Sequence, residues 1–242
     1  MNICIIPARG GSKRIPRKNI RDFCGRPMIG WSIRVARESG LFDRVIVSTD
    51  DDEIAGIAES EGAEVPFRRP EELANDHAGT IPVIAHGVAW LAEQGVEPDA
   101  VCCLYPTAPF CRAEDLAAGH SRLAGVTPPS SSEAVGQPKI TGYAFSAARF
   151  PAPVQRGFTQ TPEGGLQMLF PEQFNRRSQD LEPVYHDAGQ FYWARPETWA
   201  EGAPIFGPDS AMVVLPPERV CDIDEPGDWA RAEALFRALQ DG

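Results

Sequence analysis

The chain has 242 residues, with 23 Lys or Arg and 34 Asp or Glu, so its formal net charge is −11. The length suffices for one large α/β domain with its own core, and 43% hydrophobic with 24% charged residues excludes wholesale disorder. No apolar run approaches the roughly 18 residues that a membrane span needs, and the acidic balance argues against a general nucleic-acid binder.

Short apolar runs alternate with amphipathic segments in the first half of the chain. Strands are predicted over 2–7, 44–49, 63–67 and 100–105, and helices over 27–39, 51–61, 80–94 and 113–123. Asp50 is expected to cap the second of these helices. Strand and helix in alternation predict a mainly parallel sheet between two helical layers, the three-layer αβα arrangement.

The regular pattern breaks after residue 125. Residues 126–188 are rich in Pro, Ser, Gly and Gln, with short strand candidates only at 142–146 and 167–170. Strands at 189–194 and 211–215 and a helix at 227–239 then restore the pattern. We expect one domain spanning 1–242. Residues 126–188 are expected to form an irregular excursion that is too long to be a simple connecting loop.

Six cysteines are present without any CxxC pair or zinc-like Cys/His spacing. Cys4, Cys102 and Cys103 fall in apolar strand patterns, where cysteine behaves as a small hydrophobe. The first residues enter a strand without the basic-then-apolar plan of a secretory signal. We therefore expect reduced cysteines in a cytoplasmic protein.

Positive charge is concentrated near the start of the chain. Residues 9–26 contain seven Lys or Arg against Asp22 alone, although the whole chain is strongly acidic. Such a patch favours one small polyanion bound at one place, with a solvated basic loop as the simpler alternative.

The loop after the first strand has the chemistry of a polyphosphate site. Gly10 and Gly11 let the backbone approach a ligand and direct N–H groups at its oxygen atoms. Ser12 adds a hydroxyl donor, and Arg9 and Lys18 add a planar and a compact cation. Neither the Walker GxxxxGK[ST] pattern nor GxGxxG is present. We favour a polyphosphate site over a plain basic turn.

Two aspartates near the end of the chain form a D-x-D pattern. Asp222 and Asp224 flank Ile223, so in a strand both carboxylates would point to one side, as a hard Mg²⁺ ion requires. The alternative is a helix cap, because Asp224 and Pro226 precede the final helix.

The segment 6–19 resembles the signature loop of the cytidylyltransferases that activate nonulosonic acids. The resemblance covers most of the chain and includes the blocks 23–29, 45–50, 69–74, 106–109 and 222–226. The stretches 153–156, 175–180 and 185–192 most resemble the branch that acts on pseudaminic acid. Tyr105 stands where the sialic acid branch has a Gln that helps to bind sugar, which makes sialic acid a less expected substrate.

The resemblance implies a nucleotide-diphospho-sugar transferase (Rossmann-like) fold with an inserted dimerisation element, and hence a homodimer. It also implies Mg²⁺-dependent transfer of CMP from CTP to the anomeric hydroxyl of a nine-carbon sugar acid, with loss of pyrophosphate. Pseudaminic acid is the favoured acceptor. An N-acylneuraminate, legionaminate or 3-deoxy-octulosonate enzyme is the alternative.

Roles for the nucleotide-binding and catalytic residues follow from the same resemblance, whereas most roles on the sugar side follow from the carboxylate, polar and methyl groups of such a sugar. Catalytic roles fall on Lys18, Arg9, Asp222 and Asp224, of which the two aspartates would hold the metal. Nucleotide contacts fall on Ala8, Arg9, Gly10, Gly11, Ser12, Lys18, Asn19, Arg69 and Thr80. Sugar contacts are expected from Tyr105, Gln155, Arg156, Arg177, Gln179, His186 and Gln190, with Lys139 as a further cation. An apolar wall for the sugar is expected among Phe158, Phe170, Phe191, Tyr192 and Trp193.

Two hypotheses that assign the protein to other functional classes stay open at this point. A regulatory nucleotide-binding module with a dead site is disfavoured because Lys18, Asp222 and Asp224 are all present. A dinucleotide-dependent oxidoreductase would share the strand–helix alternation, but its glycine fingerprint is missing.

Overall fold

The computed structural model describes residues 1–125 and 140–240. These residues form ten strands and six α-helices. In chain order they are β1 (Asn2–Pro7), β2 (Asp22–Phe23), β3 (Arg26–Pro27), α1 (Met28–Glu38), β4 (Arg44–Ser48), α2 (Asp52–Ser60), α3 (Thr80–Glu93), β5 (Ala100–Leu104), α4 (Ala113–Ala124), β6 (Ala144–Arg149), β7 (Phe158–Gln160), β8 (Leu166–Met168), β9 (Tyr185–Ala194), α5 (Pro196–Glu201), β10 (Ala211–Val214) and α6 (Pro226–Gln240).

Six strands form the central sheet in the order β10-β6-β9-β5-β1-β4. The pairs β1–β4, β1–β5 and β10–β6 are parallel, and β9 runs antiparallel to both of its neighbours. The prediction of an α/β fold with a mainly parallel sheet is therefore confirmed. The carboxyl ends of β1, β4 and β5 lie along one edge, where loops can build a ligand crevice.

Alternate residues of β1 enter two different cores, which defines the three layers. Cys4 and Ile6 pack in the core that α1, α2 and α4 cover. Ile3 and Ile5 pack on the opposite face, in the core covered by α3 and α5. This period-two alternation is what a strand buried on both faces requires.

A third cluster joins the two ends of the chain. Trp229 and Phe236 of α6 pack edge-on against Phe23, with ring centroids 5.4 and 5.3 Å apart. Ile15 and Ile223 are buried in the same cluster. Burial of these apolar side chains holds the segment before α6 against the loop that follows β1.

Three sequence predictions about elements need correction. Asp51, not Asp50, caps α2, and its carboxylate accepts a hydrogen bond from the backbone N–H of Ile54 at 2.9 Å. Residues 63–67 form no strand, because only Glu64 among them bridges β4, in a single parallel pair with Ile46. The irregular excursion is shorter than 126–188, since β6 and all of β9 belong to the central sheet.

Residues 150–184, which we call the arm, leave the sheet between β6 and β9. The arm contains the antiparallel hairpin of β7 and β8, outside the central sheet. The sequence did not predict β7, nor the six-residue helix α5 that starts at Pro196. Within the two described ranges, every helix is too short or too polar to cross a bilayer.

All six cysteines are free thiols. Cys4, Cys102, Cys103 and Cys111 are buried, and burial raises the pKa of each thiol. Thiols that stay protonated are poor nucleophiles, so these four behave as small core residues.

Candidate active site

A cleft of about 280 Å³ opens at the carboxyl ends of β1 and β5. The loop after β1, the start of α3, the segment after β5 and the segment before α6 form its walls. The residues that sequence reasoning assigned to the site and that line this cleft are Arg9, Ser12, Lys18, Asn19, Arg69, Thr80, Tyr105 and Asp224. Residues that are up to 215 positions apart in sequence therefore meet in one place.

Hydrogen bonds fix the backbone of residues 8–19, which we call the cationic loop. The N–H of Ala8 donates to the carbonyl of Ser48 at 2.9 Å, and the N–H of Gly10 donates to Asp50 Oδ1 at 3.0 Å. The buried amide of Asn19 donates through Nδ2 to the carbonyl of Arg9 at 3.0 Å. Asn19 thus shapes the loop, in addition to lining the cleft.

Arg17 holds the outer side of the cationic loop to the start of α2. It has a positive φ of 55°, unusual for a residue with a side chain. Its guanidinium donates to both carboxylate oxygens of Asp51, at 2.6 and 2.9 Å, and to Glu53 at 2.5 Å. The hydrogen bonds from Arg17 hold the pKa of Asp51 down, to about 2.

Apart from Arg17, the cations of the loop divide between two carboxylates. Arg9 donates to Asp76 Oδ1 at 2.5 Å, and Lys13 donates to the other oxygen of Asp76. On the other side, Arg14 donates to Asp224 Oδ2 at 2.7 Å. The Nζ of Lys18 lies 3.2 Å from Asp224 Oδ1, so the two ends of the chain meet, as the sequence-based hypothesis requires.

Asp222 and Asp224 lie in an irregular segment and not in a strand, so the argument from strand pleating was wrong. Asp228 accepts hydrogen bonds from the N–H groups of Asp224 and Glu225, at 3.2 and 2.9 Å. Its carboxylate thus satisfies backbone donors at the start of α6. The side chain of Asp224 is therefore not the helix cap. It faces Lys18 and the cleft.

The pair of carboxylates suits a hard divalent cation. Partial burial and the neighbouring charge of Asp224 raise the pKa of Asp222. A divalent ion between the two would relieve that repulsion, and Mg²⁺ is commonly held by one or two carboxylates with phosphate oxygens and water. Among the described residues, no group of three or more His, Cys, Asp or Glu forms a complete metal cage.

Arg69 is a buried cation at the floor of the cleft. Only 6% of it is exposed, its Nε donates to Ser48 Oγ at 3.2 Å, and its NH2 donates to the carbonyl of Ser48. Burial lowers its pKa to about 10. Arg69 is therefore not a surface ion-pair residue, and its guanidinium is held inside the fold.

Two tyrosines connect the cleft to a second cavity. Tyr105 OH lies 2.6 Å from Thr80 Oγ1 in the cleft, and burial raises the pKa of Tyr105 to about 12. The ring of Tyr105 lies 5.3 Å from that of Tyr192, whose hydroxyl donates to Asp187 Oδ2 at 2.5 Å. Asp187 lies in the wall of the second cavity, which we call the apolar hollow.

The apolar hollow has a volume of about 400 Å³ and is lined by Phe145, Ala147, Tyr185, His186, Asp187, Phe206 and Met212. His186 is half-buried there, with Nδ1 2.8 Å from the carbonyl of Asp187 and its ring edge-on to Phe150. A polar corner beside an apolar wall is the usual composition of a small-molecule site.

The other residues predicted to bind sugar lie apart from the cleft of their own chain. On the arm, Gln155 donates to the carbonyl of Glu182, Arg156 to the carbonyl of Arg176, and Arg177 pairs with Asp180. Gln179 is exposed on the same arm. Gln190 is only 4% exposed and donates to the carbonyl of Arg219 at 2.6 Å, so it faces the core.

The predicted aromatic wall is also divided. Phe191 and Trp193 are buried in the core beneath α1 and α4, because they alternate with Tyr192 along β9. Phe158 and Phe170 are exposed on the arm. Lys139 lies outside the described residues.

Sequence reasoning missed Asp76 and the buried ion pair between Asp115 and Arg219. Asp76 follows the block 69–74 and precedes Thr80, so an acid inside a segment already assigned to the nucleotide was the available signal. For Asp115 and Arg219 no local pattern exists, because the two residues lie 104 positions apart.

A cationic, glycine-containing loop that faces Asp224, at the carboxyl edge of a mainly parallel αβα sheet, is the arrangement expected of a nucleotidyltransferase. Comparison with known families matches residues 3–145 to "Cytidylyltransferase". The chain belongs to the cytidylyltransferase family.

Curated relatives are similar over nearly the whole chain. The pseudaminic acid cytidylyltransferase of Campylobacter jejuni is 41% identical over 236 residues, 98% of this chain and 96% of the relative. The CMP-N,N'-diacetyllegionaminic acid synthase of Legionella pneumophila is 30% identical over 99% of this chain and 97% of its own length. N-acylneuraminate cytidylyltransferase A of Danio rerio is 33% identical over 95% of this chain and 49% of its own length.

Solved structures agree on the fold. CMP:2-keto-3-deoxy-manno-octonic acid synthetase, solved with CTP, aligns with a TM-score of 0.66 at 18% identity over 98% of this chain and 99% of its own. A 4-diphosphocytidyl-2C-methyl-D-erythritol synthase from Anaerococcus prevotii aligns with a TM-score of 0.62 at 12% identity, over 98% of each chain.

Proposed function

We propose that this enzyme transfers CMP from CTP to the anomeric hydroxyl of a nonulosonic acid, with pseudaminic acid as the preferred acceptor. The observation that carries the proposal is the meeting of Lys18 with Asp224 in a cleft that also contains Arg9 and Arg69. The higher identity to the Campylobacter jejuni pseudaminic acid enzyme than to the legionaminic and neuraminic acid enzymes supports the preferred acceptor.

The reaction needs placement and charge neutralisation more than covalent catalysis. The anomeric oxygen attacks the α-phosphorus, the bond from that phosphorus to the bridging oxygen breaks, and the electron pair leaves with pyrophosphate. The proton of the hydroxyl passes to solvent. Lys18, Arg9 and Arg14 line the cleft and would stabilise the charge that builds on the phosphate oxygens.

Mg²⁺ is the proposed cofactor, held by Asp222 and Asp224. When bound, the ion would neutralise phosphate charge and lower the pKa of a coordinated hydroxyl. Asp224 lines the cleft, where phosphate oxygens and water would complete the ligand set, and Asp222 lies two residues before it. Chelation of divalent cations should abolish turnover, and Mg²⁺ should restore it.

The cytidine is proposed to lie towards Arg69 and Thr80, and the sugar towards the apolar hollow. The apolar walls of Phe145, Phe206 and Met212 suit the methyl and acylamino groups of a deoxy sugar acid. His186 and Asp187 offer hydrogen-bond partners to its polar groups.

The arm supports a proposed homodimer. The arm leaves six large apolar side chains exposed: Phe150, Phe158, Leu166, Leu169, Phe170 and Phe174. A second copy covering them would bury this surface and could bring Arg156, Arg177 and Gln179 to the partner's sugar site. Sedimentation of the full chain should give a dimer, and a fully active monomer would contradict the proposal.

A cytoplasmic location is proposed because the cysteines are free. CTP, the proposed donor, is a cytoplasmic metabolite.

The decisive test is pyrophosphate release from CTP and Mg²⁺ with pseudaminic, legionaminic and N-acetylneuraminic acids as competing acceptors. We expect the highest kcat/KM with pseudaminic acid. Preference for either of the other acids would move the assignment to that branch. No release with any of the three would overturn the proposal of a nonulosonate enzyme.

A further inference from the structure

Asp76 bridges two cations at the mouth of the cleft. Its Oδ1 accepts from Arg9 at 2.5 Å, and its Oδ2 accepts from Lys13. Hydrogen bonds from Lys13 and then Arg9 hold the pKa of Asp76 to about 2, so the carboxylate stays charged at neutral pH. Asp76 itself belongs to no helix or strand, and its side chain is 38% exposed.

The two cations that Asp76 engages are part of the cleft wall, whereas Asp76 is not. Phosphate oxygens entering the cleft would need N–H groups of Arg9 and Lys13 as donors, and the carboxylate now occupies donors of both side chains. A carboxylate and a phosphate compete for the same cations, because each N–H that Asp76 holds is one that a phosphate oxygen cannot use at the same time.

The exposure of the contacts makes such an exchange feasible. Side-chain exposure is 35% for Arg9 and 79% for Lys13. Exposed ion pairs of this kind are weak and screened by salt. By contrast, Arg17 is held by Asp51 and Glu53 on the outer side of the loop and does not line the cleft.

We propose that Asp76 is an internal competitor for the triphosphate, occupying Arg9 and Lys13 in the free enzyme and recapturing them as pyrophosphate leaves. This inference rests on the proposed function, because it assigns phosphate binding to the cleft. Asp76 touches no reacting atom, so it is a positioning residue that acts through the two cations. Its presence weakens polyphosphate binding and favours release.

The test compares Asp76→Asn with Asp52→Asn in the full chain. Asp52 is a suitable control because it loses the same charge, is 92% exposed and pairs with Arg68, which does not line the cleft. Binding of CTP and of inorganic pyrophosphate is measured by calorimetry at low and physiological salt. Asp76→Asn should bind both about fivefold more tightly than wild type, with the largest gain at low salt, and Asp52→Asn should match wild type.

Kinetic constants provide a second measurement, which would not change if Asp76 had only a structural role. In Asp76→Asn the KM for CTP should fall and product inhibition by pyrophosphate should become about fivefold stronger, without a rise in kcat. Asp76→Glu, which keeps the carboxylate, should return both constants towards wild type. Thermal melting should be close to wild type for all three variants.

The outcomes separate this inference from the proposed function. If wild type binds CTP and pyrophosphate but Asp76→Asn binds them equally or more weakly, Asp76 is not a competitor. If Asp52→Asn shows the same gain in affinity as Asp76→Asn, the gain comes from the loss of one negative charge anywhere on the protein, and the inference also fails. If wild type binds neither compound, the phosphate site and this inference fall together.

Discussion

The guanidinium of Arg219 donates two hydrogen bonds to the carboxylate of Asp115, one of them at 2.9 Å, and both side chains are buried. Asp115 lies in the first turn of α4, and Arg219 lies three residues before Asp222. The carbonyl of Arg219 also accepts from the buried amide of Gln190. These contacts anchor the segment that carries the proposed metal ligands to the centre of the fold.

Asp115→Ala should lower the free energy of unfolding by about 3–5 kcal/mol, because it leaves the charge of Arg219 buried and unpaired. Urea denaturation of the full chain measures the change. Glu114→Gln is the control. Glu114 is the neighbouring acid, but it is exposed and its contact with Arg112 is long, at 3.6 Å. A loss for Asp115→Ala no larger than that of the control would show that the pair does not stabilise the fold.

Lys18→Ala should reduce kcat about 10²-fold or more, because the proposed donor to the phosphate charge is removed. Its Nζ also donates to the carbonyl of Ile223 at 2.9 Å, so thermal melting must be followed in parallel. Arg68→Ala removes an exposed cation outside the cleft and should keep wild-type turnover. Near-normal kcat in Lys18→Ala would remove its assigned role.

Asp224→Asn and Asp228→Ala should separate function from capping. Asp224→Asn should keep the fold and lose most Mg²⁺-dependent turnover, since it removes a proposed metal ligand. Asp228→Ala should keep turnover but lower the free energy of unfolding by about 1 kcal/mol, because two N–H groups at the start of α6 lose their acceptor. Mg²⁺ titrations and urea denaturation of both variants check this. Undiminished turnover of Asp224→Asn at low Mg²⁺ would contradict the metal assignment.

Much of the fold could be predicted because the information is local. The three- and four-residue spacing of apolar residues located α3 to within one residue, and a continuous apolar run located β5. β6 was assigned to the excursion, because Ala144–Arg149 lacks a strong pattern. Its place in the sheet depends on pairing with β9, about 40 residues later.

The cations of the site could be predicted from the sequence, but the residues that contact them could be predicted less well. Arg9 and Lys18 lie in a recognisable loop, and Asp224 belongs to a recognisable block. Asp50 and Asp51 are adjacent acids, and only the turn of the backbone decides which one caps α2. Residues assigned to the sugar, such as Gln190, carry polar groups that serve a core equally well, and only burial distinguishes the two uses.

Gly10→Ala should lower the free energy of unfolding by about 1–3 kcal/mol. A Cβ at this position would lie 2.7 Å from Asp51 Oδ2 and 3.1 Å from Asp51 Cβ, and Arg17 restrains that side chain. At Gly11 the nearest contact of an added Cβ is Arg9 NH1 at 4.0 Å, so Gly11→Ala should change stability by less than about 0.5 kcal/mol. Equal losses in the two variants, measured by urea denaturation, would refute the steric argument.

Asp51 should make part of the stability depend on pH. Its pKa is lowered from 3.8 to about 2 by Arg17, so the ionised form is favoured in the folded state. The resulting stabilisation is fully present above about pH 4 and is lost as the pH falls through 2. Asp51→Asn keeps a good helix cap but removes the charge, so its stability should change less between pH 4 and 2. Arg17→Leu should also reduce the change in stability between pH 4 and 2. The double variant should not reduce that change further. Thermal melts across this range test the prediction, which fails if both single variants keep the wild-type slope.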